Sequence, residues 1–290
     1  MKEGQGAALD PPGVGGPLDP IPLATWDGLR IRVVQWERGN KVPLLCLPGL
    51  VRTAGDFAGV AARHGTGRLV VALDYVGRGG SARARSVARY APPAMLRDVM
   101  DVCAALHLER VVVLGTSFGG LLAMALGAAR PGLLAGVVLN DIGPELGHEG
   151  AGHVRWYVGD DPALPDLAAS VAHLQRVLPD LSLHGDAAWR EFALLTYAPG
   201  ADGRWHPRWD IRIARLMRTK PPDLWPLFGA LAHVPVLLVH GGRSRLLLAE
   251  TVARMRAARP DMAVATVPES GHAPTLAEPE AVAALEAFLQ

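Results

Sequence analysis

Short, unbroken apolar runs rich in β-branched residues alternate along this chain with longer stretches whose apolar positions recur every third or fourth residue. The runs are the pattern of strands buried on both faces, and the spaced stretches that of helices with one side on a core. Extended segments at 24–26 and 29–37 flank Asp27-Gly28, a strong hairpin signal. Buried strands are predicted at 42–47 and 69–74, with a short helix at 57–64 between them. A Gly/Arg loop at 75–81 leads to a helix at 93–106, a strand at 111–114, a small-residue helix at 121–129 and a strand at 135–140. Elements alternating at these spacings imply right-handed crossovers and a mostly parallel sheet covered on both sides. The fold class expected is α/β.

The rhythm breaks between 144 and 231, where no buried-strand signal remains and helical stretches are divided by Pro and Gly. Five of the seven tryptophans fall here: Trp156, Trp189, Trp205, Trp209 and Trp225. This segment reads as a helical cap inserted into a sheet domain made of 23–143 and 232–290. After it come a strand at 234–240, a helix at 248–258, a strand at 263–267 and a closing helix at 278–289. Residues 1–22, rich in Gly and Pro, read as a flexible tail. They lack the basic start and apolar stretch of a secretory signal, and no apolar run is long enough to cross a bilayer, so a cytoplasmic location is expected.

Composition changes this picture little. The 290 residues suffice for one sheet plus an insertion, and half of them are apolar, as in an enzyme with a large core. A formal net charge of +1 gives no electrostatic footprint for nucleic acid or an anionic membrane. Nothing in the pattern sets an oligomeric state. Cys46 and Cys103 fall on a predicted strand and a predicted helix, and are expected to be buried small hydrophobes rather than a disulfide or metal pair.

The chemistry centres on Gly115-Thr116-Ser117-Phe118-Gly119-Gly120, lodged between a strand and a helix-forming run. A serine between glycines at a strand-to-helix turn is the G-x-S-x-G nucleophile elbow. With this motif the chain resembles an α/β-hydrolase from about residue 25 to its C-terminus. The resemblance implies a mostly parallel α/β-hydrolase sheet with flanking helices and an inserted helical cap, and a site that needs no cofactor and no metal. It implies Ser117 as nucleophile and His272, in the turn after the last strand, as the base that activates it. The oxyanion hole would use the amides of Phe118 and Leu50; where the family carries His-Gly before the second donor, this chain reads Pro48-Gly49-Leu50.

The acid departs from the family pattern. Its commonest place follows the strand at 236–239, but the chain there reads His240-Gly241-Gly242-Arg243-Ser244-Arg245, with arginine where an aspartate is expected. Arginine cannot accept a hydrogen bond from the imidazole. Three readings stay open: Asp141 at the preceding strand end is the acid, the site is a Ser-His dyad, or the chain is impaired. Arg52 is a candidate for a substrate carboxylate, against an i,i+4 pair with Asp56 on the solvent side. Arg78 and Asp74 are expected to serve their own loop. Among the aromatic residues of the cap, Trp156 or Tyr157 is expected to face the site. The expected activity is a cofactor-free serine hydrolase for an ester, lactone or activated carbonyl of a small, fairly apolar molecule. The alternatives are a lyase, cyclase or acyltransferase of the same fold, or a ligand-binding homologue impaired at Arg245.

Overall fold

The apolar runs pair as their composition dictates. In a computed structural model that describes residues 18, 23–36, 39–218 and 223–290, Leu23–Ala24 (β1) and Arg30–Trp36 (β2) form the hairpin around Asp27-Gly28. Lys41–Leu47 (β3), the helix Ala58–His64 (α1) and Arg68–Asp74 (β4) follow. Then come Pro92–Ala105 (α2), Val111–Thr116 (β5), Phe118–Ala129 (α3) and Leu134–Asn140 (β6). The predicted flexible tail lies, except for Leu18, outside the described residues.

Beyond β6 the chain leaves the sheet and makes His148–Val158 (α4), Leu167–Val177 (α5), Gly185–Thr196 (α6), Tyr197–Pro199 (β7), Trp205–Pro207 (β8) and Trp225–Gly229 (α7). It returns at Val236–Gly241 (β9), Ala249–Ala258 (α8), Ala263–Val267 (β10) and Pro279–Phe288 (α9). The inserted segment is not purely helical, as its sequence pattern suggested. β7 and β8 pair antiparallel, Tyr197 opposite Pro207, and Leu164 bridges to Trp205. Strands of three residues are too short to show a period of two, and each ends on a proline.

The main sheet has the order β1-β2-β4-β3-β5-β6-β9-β10, antiparallel at β1 and β2 and parallel from β4 onward. Alternate residues of each strand feed two cores, because side chains switch face at every step. Leu44, Cys46, Leu114 and Val239 pack with Val60 of α1 and Leu285 of α9. Leu45, Leu47, Val113 and Leu238 pack with Val99 of α2, Leu122 of α3 and Met255 of α8. Cys46 and Cys103 are both buried and unbridged, and burial pushes the Cys103 thiol up to about 12. Among the described residues no helix is long and apolar enough to cross a membrane.

Parallel strands put their C-terminal ends on one edge. There β3 delivers Leu50, β5 delivers Ser117, β6 delivers Asp141, β9 delivers Gly241 and β10 leads to His272. In an open α/β sheet this edge is where ligands bind.

Candidate active site

Ser117 sits between β5 and α3 with φ +52° and ψ −116°, a conformation a non-glycine residue adopts only when its surroundings force it. The turn is closed tightly at Gly119. A Cβ there would lie 2.0 Å from the carbonyl oxygen of Leu47. The glycine lets α3 begin against β3 and lifts the serine hydroxyl above the strand ends.

Three side chains meet at this point. Nε2 of His272 lies 2.8 Å from Oγ of Ser117, and Nδ1 lies 2.8 Å from Oδ2 of Asp141. A carboxylate only accepts, so Nδ1 carries the proton and Nε2 is left to accept from the serine hydroxyl. Asp141 is fully buried, and its second oxygen, Oδ1, accepts from the Gly241 N–H at 2.8 Å. Both carboxylate oxygens are therefore satisfied, which makes a buried charge tolerable.

The loop after β3 is held from below. Gly49 O accepts from Arg52 N at 3.1 Å, which turns the opposite side of that trans peptide, the Leu50 N–H, away from the turn. Tyr75 donates its hydroxyl to Pro48 O at 3.2 Å and Arg78 donates Nε to Leu50 O at 2.8 Å, so carbonyls on either side of the Leu50 amide are fixed. Arg78 is almost wholly buried, and burial pulls its pKa down to about 10. Asp74 accepts from Ala54 N at 2.7 Å and from Gly80 N at 2.8 Å, joining the loops that follow β3 and β4. Each serves its own loop, as expected, Arg78 through Val76 O and Asp74 through Gly80 N, and each also reaches across to the loop after β3.

The loop carrying His272 is tied down on several sides. Asn140 donates Nδ2 to Pro274 O at 2.9 Å, and Arg63 donates to Leu276 O at 2.8 Å. From the inserted segment, Asp180 O accepts from Gly271 N at 2.7 Å. Glu278 belongs to the same loop, its Oε1 accepting from Thr275 N at 2.7 Å and from Ser182 Oγ of the inserted segment, and none of Asn140, Asp180, Ser182 and Glu278 stands out in the sequence as a site residue. Only the last had a local signal, the Thr275-x-x-Glu278 spacing of a side chain that reaches back to an amide.

A cavity of about 750 Å³ opens above Ser117, walled by the 49–60 segment, by α4 to α6 and by the His272 loop. A profile described as "Alpha/beta hydrolase family" matches residues 44–285, a span that holds the parallel part of the sheet from within β3 onward and all three of these side chains. The chain belongs to that family. The hydrolase is 33% identical over 271 residues to a 3-hydroxybutyrate-oligomer hydrolase of Cupriavidus necator, covering 89% of this chain and 92% of the relative. It is 29% identical over 239 residues to the mouse (Mus musculus) sn-1-specific diacylglycerol lipase ABHD11, covering 79% and 74%. Its fold superposes on an alpha/beta hydrolase from Novosphingobium aromaticivorans with a TM-score of 0.89 at 37% identity, over 96% of this chain and 99% of the other.

The remaining sequence-derived candidates are distributed unevenly in this hydrolase. Arg245 lines the cavity mouth, but its exposed guanidinium pairs with Glu149 of α4 at 2.9 Å. Arg52 makes the predicted pair with Asp56, Nε to Oδ2 at 2.7 Å and Nη2 to Oδ1 at 2.5 Å. It makes it inside the cavity wall rather than toward solvent, stacked 3.9 Å from the Phe192 ring and hydrogen-bonded to Thr196 of α6. Tyr157 lines the cavity, and burial pushes its hydroxyl up to about 12. Trp156 is a correction: it is 53% exposed, lies against His153 and takes no part in the cavity wall. Adjacent helical residues point about 100° apart, so α4 can turn only one of the pair inward. Trp209 and Trp189 are buried in the insertion's own core, with Trp209 Nε1 donating to Val158 O at 2.8 Å.

Proposed function

We propose that this hydrolase is a cofactor-free serine enzyme that cleaves a carboxylic ester, or a lactone or similarly activated carbonyl, of a small, fairly apolar substrate through an acyl-enzyme on Ser117. The observation that carries the proposal is the unbroken hydrogen-bonded chain from Ser117 Oγ through His272 to Asp141, with 2.8 Å at each link. In this reading Ser117 Oγ attacks the carbonyl carbon as its proton passes to His272 Nε2. Asp141 keeps the imidazole in the accepting tautomer and stabilises the imidazolium that forms. The Leu50 and Phe118 amides receive the developing oxyanion, each donor contributing roughly 3–4 kcal/mol. His272 then returns the proton to the leaving alkoxide, and a water repeats the sequence to release the acid.

The named relatives support ester chemistry, since one acts on 3-hydroxybutyrate oligomers and another on diacylglycerols by their names. The cavity lining supports a largely apolar acyl group, with Val51, Val60, Val177, Leu195 and Phe192 around it. The inserted segment would serve as the cap that selects it. Asp141 already occupies Nδ1 of His272, so Arg245 gives no reason to read the protein as impaired. Hydrolysis of p-nitrophenyl butyrate, with labelling of Ser117 by a fluorophosphonate read by mass spectrometry, tests the proposal. Turnover and a single adduct, both lost in Ser117→Ala, are expected. A folded wild-type protein that gives neither would overturn it.

A further inference from the structure

The inserted segment does more than roof the cavity, because it grips the loop on which His272 stands. Asp180 and Ser182 lie between α5 and α6, remote in sequence from that loop. Gly271 N donates to Asp180 O at 2.7 Å, and the contact is so close that a Cβ on Gly271 would lie 2.6 Å from Asp180 Cβ. Two residues on, Ser182 Oγ donates to Glu278 Oε1 and lies 3.2 Å from Ser270 Oγ. Glu278 Oε1 also accepts from Thr275 N at 2.7 Å and from Thr275 Oγ1 at 2.8 Å. Ser270 is fully buried and Glu278 nearly so. One carboxylate oxygen thus gathers the far end of the 270–278 loop, and one serine from the insertion joins that oxygen to the near end.

We infer that Ser182, acting through Glu278 and together with the Asp180 carbonyl, is a positioning residue for the base: the insertion must be seated on the 270–278 loop for His272 to lie between Ser117 and Asp141. The inference rests on the reading of His272 as that base. Its physical content is geometric. His272 stands between Gly271, held by Asp180, and Thr275, held by Glu278, so its backbone is fixed on both sides within a few residues. A displacement of about 1 Å in a reacting group costs on the order of 10²-fold in rate. The same contacts give the insertion a fixed edge along 180–182.

The test compares Ser182→Ala, Ser182→Thr and Glu278→Ala with the wild type, using p-nitrophenyl butyrate and the rate of fluorophosphonate labelling at Ser117. Ser182→Ala is expected to lower kcat and the labelling rate together by about tenfold while KM stays within about twofold. Ser182→Thr, which keeps the hydroxyl, should recover most of that loss. Glu278→Ala removes the acceptor from the other side and should exceed the Ser182→Ala loss, which keeps the test open should Ser182→Ala not fold. Folded variants with wild-type kcat and labelling rate, or a loss confined to KM, would overturn the inference while leaving the hydrolase reading intact. A wild type that neither turns over nor labels would overturn both.

Discussion

Asp141 Oδ2 and His272 Nδ1 lie 2.8 Å apart across 131 residues of sequence, joined because β6 and β10 flank β9 in the sheet. Asn140 is in register with Val239, so Asp141 emerges beside His240 and Gly241, under the turn that bears His272. If this carboxylate orients the base, Asp141→Asn should cut kcat by about 10³–10⁴ while the protein stays folded, because the amide allows the wrong imidazole tautomer. Circular dichroism and steady-state kinetics check both halves. A loss below about tenfold would favour a dyad.

Arg245 supplies the converse. Its side chain is 65% exposed and engaged with Glu149, away from an imidazole nitrogen that is already occupied. Arg245→Asp is therefore expected to leave kcat unimproved, and to bring a like charge against Glu149. A rate increase would show that the β9 position still competes for His272.

Arg78 tests the oxyanion loop. Its Nε donates to Leu50 O and its Nη1 to Val76 O, both at 2.8 Å, from a nearly water-free site. Arg78→Lys cannot reproduce two divergent bonds from one planar fork. It should lower kcat by about tenfold or more, and thermal unfolding should register a buried carbonyl left unpaired, at a cost of about 1–3 kcal/mol. Unchanged kcat in the folded variant would separate Arg78 from the loop's geometry.

Gly119→Ala addresses the elbow itself. The added methyl would meet backbone of β3 at 2.0 Å, and neither β3 nor α3 can yield without losing packing on both. Loss of soluble protein, or a fall of many degrees in Tm, is expected. A variant with near-native Tm would show that the elbow has slack.

Acid stability should depend on Asp210, where the inserted segment is stapled to the core. Burial works to raise its pKa, but hydrogen bonds from Arg212 and Tyr90 outweigh it and hold the carboxyl down at about 2. A depressed folded-state pKa means stabilisation that is complete above the unfolded value of about 4 and is lost as pH falls toward about 2. Urea unfolding followed across that window should show a steeper loss for the wild type than for Asp210→Asn, which should be less stable at neutral pH. Parallel curves would exclude the linkage.

The order of strands and helices in the sheet domain, the elbow and the position of His272 were all legible in the chain. Each is a local matter of apolar runs, glycines flanking a serine, or a turn after a strand, and local sterics and burial decide such features. Two choices were left open by the chain, and one contact was not legible in it. Asp141 rather than Arg245 faces the imidazole because of which strands lie side by side and in what register, and two strand ends about a hundred residues apart carry no mutual sequence signal. Tyr157 rather than Trp156 faces the cavity because of the rotation of α4 on its neighbours, which a helix with apolar residues on more than one side does not specify. The grip of Ser182 and Asp180 on the His272 loop arises where an insertion packs back on its parent sheet, among side chains and carbonyls that are individually unremarkable. Local sequence sets which groups can do chemistry; packing of the sheet sets which of them meet, because hydrogen bonds depend on distance and direction that only the assembled sheet edge defines.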